Sequence, residues 1–275
     1  MTTQTQSRTP QAQNSAQSPT LSAEGLHAGY AERRVLEELS LSIPEGSFTV
    51  IMGPNACGKS TLLRSLARLI RPDEGQVLLD GGPISSLPTK QLARTIGLLP
   101  QGSAAPEGIT VADLVSRGRH PHQSLLRRWG REDEAAVREA LAATAMTSLA
   151  TRPVDELSGG QRQRAWIAMA LAQQTPLLLL DEPTTYLDIA HQIEVLELCI
   201  QLQGEGRTLV AVLHDLNQAL RYATHVVAMC EGRIVDQGPP EEVGTAALVE
   251  EVFGVRARII EDPETGRPLV VPKAG

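Results

Sequence analysis

The stretch GPNACGKST, Gly53 to Thr61, decides how this chain is read. Gly53, Gly58, Lys59 and Ser60 fit the pattern G-x-x-x-x-G-K-[ST], a loop suited to cradling phosphates. The flanking sequence supplies the context such a loop needs. FTVIM (Phe48 to Met52) precedes it directly, a continuous apolar run that predicts a strand buried on both faces. A helical pattern opens at Lys59 and runs to about Ile70, with Pro72 as its stop. Loop amides and the helix N-terminus then offer donors and partial positive charge to a phosphate chain. Lys59 has the reach for β- and γ-phosphates, and the Ser60 hydroxyl suits Mg2+. Ala56 departs from bare backbone by bringing a Cβ into the loop. If the backbone there is left-handed, alanine costs about 1–2 kcal/mol but removes no donor and no charge.

Working outward, LSLSI (Leu39 to Ile43) is β-like, and the turn signal PEG (Pro44 to Gly46) joins it to FTVIM as in a hairpin. Further buried runs occur at Pro176–Asp181, Thr208–His214 and His225–Cys230. Helical stretches at Ala190–Gln203 and Asp215–Tyr222 separate them, so the strands are expected to form a largely parallel sheet covered by helices. From about residue 106 to 171 the patterns are all helical, which predicts a helical subdomain inserted into the α/β core. Short β-like pieces and turns follow Gly232.

Two further motifs carry chemistry. LLLLDEP places Asp181 and Glu182 where an apolar strand ends, at the carboxyl edge where α/β sheets bind ligands. One carboxylate there can hold Mg2+ through water, and its neighbour can orient or deprotonate an attacking water. In LSGGQRQRAWIAMALAQ, Ser158 can cap a helix while Gly159 and Gly160 let a phosphate approach the backbone. Ala165, Ala168, Met169 and Ala172 recur at helical spacing and are expected in the core. The helix tip is thus a second anion-accepting site.

Composition bounds the alternatives. In 275 residues, 41% hydrophobic and 21% charged residues are ordinary for a globular chain. Seven aromatics imply an aliphatic core. The net charge of −7 argues against nucleic acid as the main partner. Cys57, Cys199 and Cys230 are too scattered for a disulfide framework or metal site, so a reducing compartment is expected. His120 and His122 are too few to hold a metal. Residues 1–20 are polar, lack the apolar core of a secretory signal and are expected to be disordered. No apolar run reaches the ~18 residues of a membrane span, so membrane attachment is expected through a partner.

Walker A at Gly53, LSGGQ at Leu157 and LLLLDEP before TTYLD resemble the ATP-binding cassette (ABC) ATPases, from about Leu21 to the C-terminus. The resemblance implies a P-loop NTPase α/β core with an antiparallel β subdomain and the inserted helical subdomain. It implies ATP and Mg2+ as cofactors, with Pro54, Asn55, Ala56, Cys57 and Thr61 completing the phosphate loop. Tyr30 in HAGY matches the aromatic that stacks on adenine. Gln101 in LLPQ matches the glutamine that senses Mg2+ and γ-phosphate and links to the transmembrane partner. Asp188 matches the dimer-contacting loop, His214 the histidine on γ-phosphate, and Gln161 closes the signature motif. Glu182, His214, Lys59 and Gln101 would then be the catalytic set, with Ser60, Gln101 and Asp181 at the metal. Asp215 with Gln218 resembles a capping box and has no chemical role. In this family two cassettes associate head to tail, so a homodimer is implied.

GRHPHQSLLRRWGREDEAAV, TTYLDIAHQIEVLEL, AVLHDLNQALRYATHV and RIIEDPETGRPLVVP are similar to ATPases of bacterial iron(III)–siderophore importers, nearest to the ferric-enterobactin type. Haem and cobalamin importers are the neighbouring branch. The resemblance implies polytopic permease subunits, a substrate-binding protein acting indirectly, and a peripheral place on the cytoplasmic membrane face. DNA-repair cassettes would need coiled-coil or zinc-bearing insertions. Translation-type cassettes usually pair two cassettes through a basic linker, unlike this short acidic chain.

Overall fold

A computed structural model describes residues 20–30, 33–102, 105–123 and 129–274. The expected disordered tail lies, apart from Thr20, outside the described residues. The chain opens with β1 (Leu21–Tyr30) and β2 (Arg33–Ile43), which pair antiparallel, and enters the core through β3 (Phe48–Met52). After the loop, α1 (Lys59–Leu66) leads to β4 (Glu74–Leu79) and the two-residue β5 (Gly82–Pro83). Then α2 (Thr89–Thr95) precedes β6 (Ile96–Leu99). Three helices follow, α3 (Val111–Ser116), α4 (Arg131–Ala143) and α5 (Gly159–Ala172). The chain re-enters the sheet at β7 (Leu177–Asp181) and continues through α6 (Ile189–Gly204), β8 (Thr208–Val212), α7 (Leu216–Tyr222) and β9 (His225–Cys230). It closes with β10 (Arg233–Gly238), α8 (Pro240–Val243), α9 (Ala246–Phe253) and the hairpin β11 (Ala257–Glu261) with β12 (Pro268–Pro272).

The main sheet runs β10-β9-β3-β8-β7-β6, parallel except for the edge strand β10. Its central strands β3, β7 and β8 are buried at every residue, as their unbroken apolar runs require. Each Leu so buried contributes about 1.5–3 kcal/mol relative to exposure. Alternate residues serve two cores. Phe48 and Val50 face the helical side with α3 to α7, whereas Ile51 packs with Leu62 and Leu63 of α1 and the antiparallel sheet. That second sheet runs β2-β1-β4-β5. Ala165, Ala168 and Ala172 of α5 are buried as expected, with Met169 half-buried.

Three expectations change. The PEG turn does not make a hairpin: β2 pairs with β1, and β3 lies between β8 and β9. A strand with no polar face has no place in an alternating antiparallel pair, so the chain crosses layers at that turn. Second, α1 ends at Leu66 rather than near Ile70. Arg68 adopts φ +58°, and its guanidinium donates to the Ile84 and Leu87 carbonyls at 2.7 and 2.6 Å. Those tertiary bonds stop the helix before Pro72 is reached. Third, the segment after Gly232 contains α8 and α9 as well as strands.

Candidate nucleotide-binding site

The phosphate loop leaves β3 through Gly53 at φ +152°, where an added Cβ would lie 2.2 Å from the Met229 carbonyl oxygen. Only glycine fits that crossing. Gly58, at φ +105°, caps α1. Ala56 has φ +63°, so the left-handed strain foreseen for it is present. Ala56→Gly is expected to leave hydrolysis intact and to tighten ATP binding by at most about tenfold, read by nucleotide titration. Abolished binding would refute this account of the loop.

Lys59 is only 5% exposed, and its ammonium donates to the Gly53 and Pro54 carbonyls at 2.9 and 2.8 Å. These bonds fold the side chain over its own loop, at the floor of a cleft of about 460 Å3. Asn55, Ala56, Thr61 and Gln101 line the same cleft. Cys57 is buried behind the loop, and burial raises its thiol pKa against the lowering effect of Lys59.

Ser60 Oγ donates to Asp181 Oδ1 at 2.8 Å, joining the head of α1 to the end of β7. Asp181 is buried, and burial raises its pKa, opposed by the Ser60 hydrogen bond and by Arg64. Its Oδ2 has no hydrogen-bond donor among the described residues; Arg64 Nη2 stands 3.7 Å away. A buried carboxylate oxygen without a donor, beside a serine hydroxyl and Gln101, matches the hard oxygen-rich donor set of Mg2+. Among the described residues no cluster of three or more His, Cys, Asp or Glu offers a different metal site. His122 is engaged instead with the Gln173 carbonyl at 2.8 Å.

Glu182 lines the cleft at φ +55°. His214 Nε2 lies 2.7 Å from its Oε1, and Thr185 Oγ1 donates to its Oε2 at 3.1 Å. His214 follows β8, next to β7, which is why two residues far apart in sequence meet here. The structure thus brings Lys59, Ser60, Asp181, Glu182, His214 and Gln101 together.

Other residues singled out in the sequence lie elsewhere. Tyr30 ends β1, half exposed, and its hydroxyl accepts from Arg64 Nη1 at 3.2 Å. Ser158 caps α5 reciprocally with Gln161: Ser158 Oγ accepts from the Gln161 amide at 3.2 Å, and Gln161 Oε1 from the Ser158 amide at 3.1 Å. Ser158, Gly159 and Gly160 do not line this chain's cleft. Asp188 caps α6, and hydrogen bonds from the His191 amide and ring hold its carboxyl below the usual range. Asp215 caps α7, but Gln218 turns away to Gln192, so that capping box is half made. Thr185, Arg64 and the cleft-lining Val35 escaped sequence reasoning: Thr185 stands inside TTYLD but was given no role of its own, and Arg64 and Val35 stand in no motif and reach the site only through the fold.

Residues 36–185 match the protein family described as ABC transporter. The chain belongs to that family. Among curated relatives, this ABC ATPase is 58% identical to the ferric enterobactin transport ATP-binding protein FepC of Escherichia coli (strain K12), over 92% of this chain and 93% of that protein. It is 55% identical to the probable siderophore transport system ATP-binding protein YusV of Bacillus subtilis (strain 168), over 92% of each. Among solved structures, it matches a metal-chelate type ABC transporter in an inward-facing conformation, with a TM-score of 0.79 at 30% identity, covering 94% of this chain and 98% of that one. A dimeric ATP-binding cassette in a post-hydrolysis state with ADP and Pi matches with a TM-score of 0.71 at 28% identity, covering 80% and 98%. The ABC ATPase hydrolyses ATP. Among the described residues no helix is long and apolar enough to cross a membrane.

Proposed function

We propose that this ABC ATPase energises a membrane importer of iron(III)–siderophore complexes from the cytoplasmic face, bound to polytopic permease subunits. A substrate-binding protein would deliver the cargo without touching this chain. The observation that carries the reading is the meeting of Lys59, Ser60, Asp181, Glu182 and His214 at one cleft, in a chain whose relatives carry siderophore-transport names.

Phosphoryl transfer to water is mostly positioning and charge stabilisation. Lys59 exchanges its two loop carbonyls for β- and γ-phosphate oxygens when nucleotide enters. Ser60 and Asp181, with Gln101 beside them, would hold Mg2+, which would supply charge neutralisation for the phosphates. Glu182 orients the attacking water and accepts its proton, and His214 keeps the carboxylate in place while facing the γ-phosphate. Tyr30 stacks on adenine. Because the Ser158 tip does not line its own chain's cleft, it serves the partner's triphosphate in a head-to-tail homodimer, with Asp188 at the contact.

Deleting the gene and following uptake of labelled iron on different siderophores tests the cargo. Iron–siderophore uptake is expected to stop while haem and cobalamin uptake continue. Loss of cobalamin uptake alone would assign the chain to the neighbouring branch.

A further inference from the structure

Behind the cleft, glutamine side chains fasten the turn that carries Glu182. Gln163 of α5 donates to the Pro183 carbonyl at 3.1 Å, on the residue directly after Glu182. Gln192 of α6 donates to the Leu187 carbonyl at 3.0 Å and the Thr184 carbonyl at 3.4 Å, and Gln218 of α7 donates to Gln192 at 2.7 Å. The turn needs such support. Glu182 and Tyr186 both hold positive φ, +55° and +66°, without being glycine. Each such residue costs about 1 kcal/mol or more, and persists only where its surroundings over-determine it.

Gln163 differs from the other two in the element that carries it. It stands four residues after Gly159 and three after Gly160, so all three share one face of α5. The tip of that helix also rests on the same turn: a Cβ added at Gly160 would lie 3.3 Å from Leu187 Cδ2. The signature helix therefore leans on its own chain's Glu182 turn at two points, although its tip is offered to the other chain.

We propose that Gln163 is a positioning residue that ties Glu182 to the signature helix through the Pro183 peptide. The inference rests on the reading of Glu182 as the base. When the Ser158 tip takes up the partner's triphosphate, α5 is fixed, and Gln163 fixes the peptide beside this chain's own carboxylate. A base works only within hydrogen-bond reach of its water, and a displacement of about 1 Å costs on the order of a hundredfold in rate.

Two full-chain variants test this. Gln163→Met keeps the length and loses the donor; Gln163→Lys keeps an N–H donor of similar reach. ATP hydrolysis, thermal melting and ATP-dependent dimer formation in a Glu182→Gln background are measured for each. The expected result is a kcat about tenfold lower in Gln163→Met with KM for ATP changed by less than about twofold. Its dimer still forms with Glu182→Gln, and Gln163→Lys recovers most of the lost kcat. An unchanged kcat in Gln163→Met, beside a slow Glu182→Gln, overturns the proposal and leaves the base assignment standing. Equal losses in both variants with lowered melting overturn it too, because the residue would then be structural support. Normal turnover by Glu182→Gln removes the base reading and this inference with it.

Discussion

Glu182→Gln is expected to bind ATP with near-normal affinity and to turn over at least about a thousandfold more slowly. The substitution changes little besides charge and basicity. Its amide oxygen still accepts one of the two hydrogen bonds that now reach the carboxylate from Thr185 and His214. None of the groups proposed to grip the phosphates, Lys59, Ser60 and the loop amides, is touched. A binding titration beside a phosphate-release assay separates the two effects. Turnover within a few-fold of the parent chain would strip Glu182 of its role and leave the cleft a nucleotide site without an assigned base.

Asp181→Asn is expected to lower hydrolysis by more than about a hundredfold while raising the melting temperature of the nucleotide-free chain. Both effects have one cause. Burial raises the Asp181 pKa, which means the folded chain disfavours its ionised form. A group whose folded pKa lies above its unfolded value stabilises the fold at low pH, and that contribution is lost as pH rises through the folded value. The wild-type chain therefore carries, at neutral pH, a desolvated carboxylate with one oxygen lacking a donor. Asparagine removes that cost and keeps an oxygen for the Ser60 hydroxyl, but offers Mg2+ no anionic ligand. Melting curves against pH without nucleotide check the sign: the gap between the two chains narrows as acid protonates the wild-type carboxyl. A variant that melts lower at every pH would show that Asp181 stabilises the fold as an anion.

Much of this site was legible before the fold was known, for physical reasons that differ by residue. Gly53, Gly58, Lys59 and Ser60 are read together because phosphate binding fixes their spacing within a single turn. Asp181, Glu182 and His214 stand at the ends of apolar runs, and the carboxyl ends of parallel strands open on the ligand crevice. The PEG turn misled because a turn signal says that the chain reverses, not which sheet the next strand joins. β6 was missed because IGLL offers four residues and no period. Its Gly97 is needed for packing, since an added Cβ would lie 2.5 Å from Thr175 Oγ1. His214 was read in advance, but Thr185 and Gln163, which support the Glu182 turn, were not singled out, although both lie inside quoted motifs. They are ordinary polar residues whose importance comes from the two hydrogen bonds that folding gives them.

Ser158 and Lys59 lie on one chain, yet the Ser158 tip stays out of the cleft that Lys59 floors. The proposed head-to-tail dimer would supply that tip from a second copy. Light scattering on the purified Glu182→Gln chain, with and without Mg2+-ATP, measures that dimerisation directly. The mass is expected to double when nucleotide is added and to return to that of one chain when it is removed. A chain that keeps the mass of a monomer under saturating Mg2+-ATP would contradict the two-chain grip on the triphosphate.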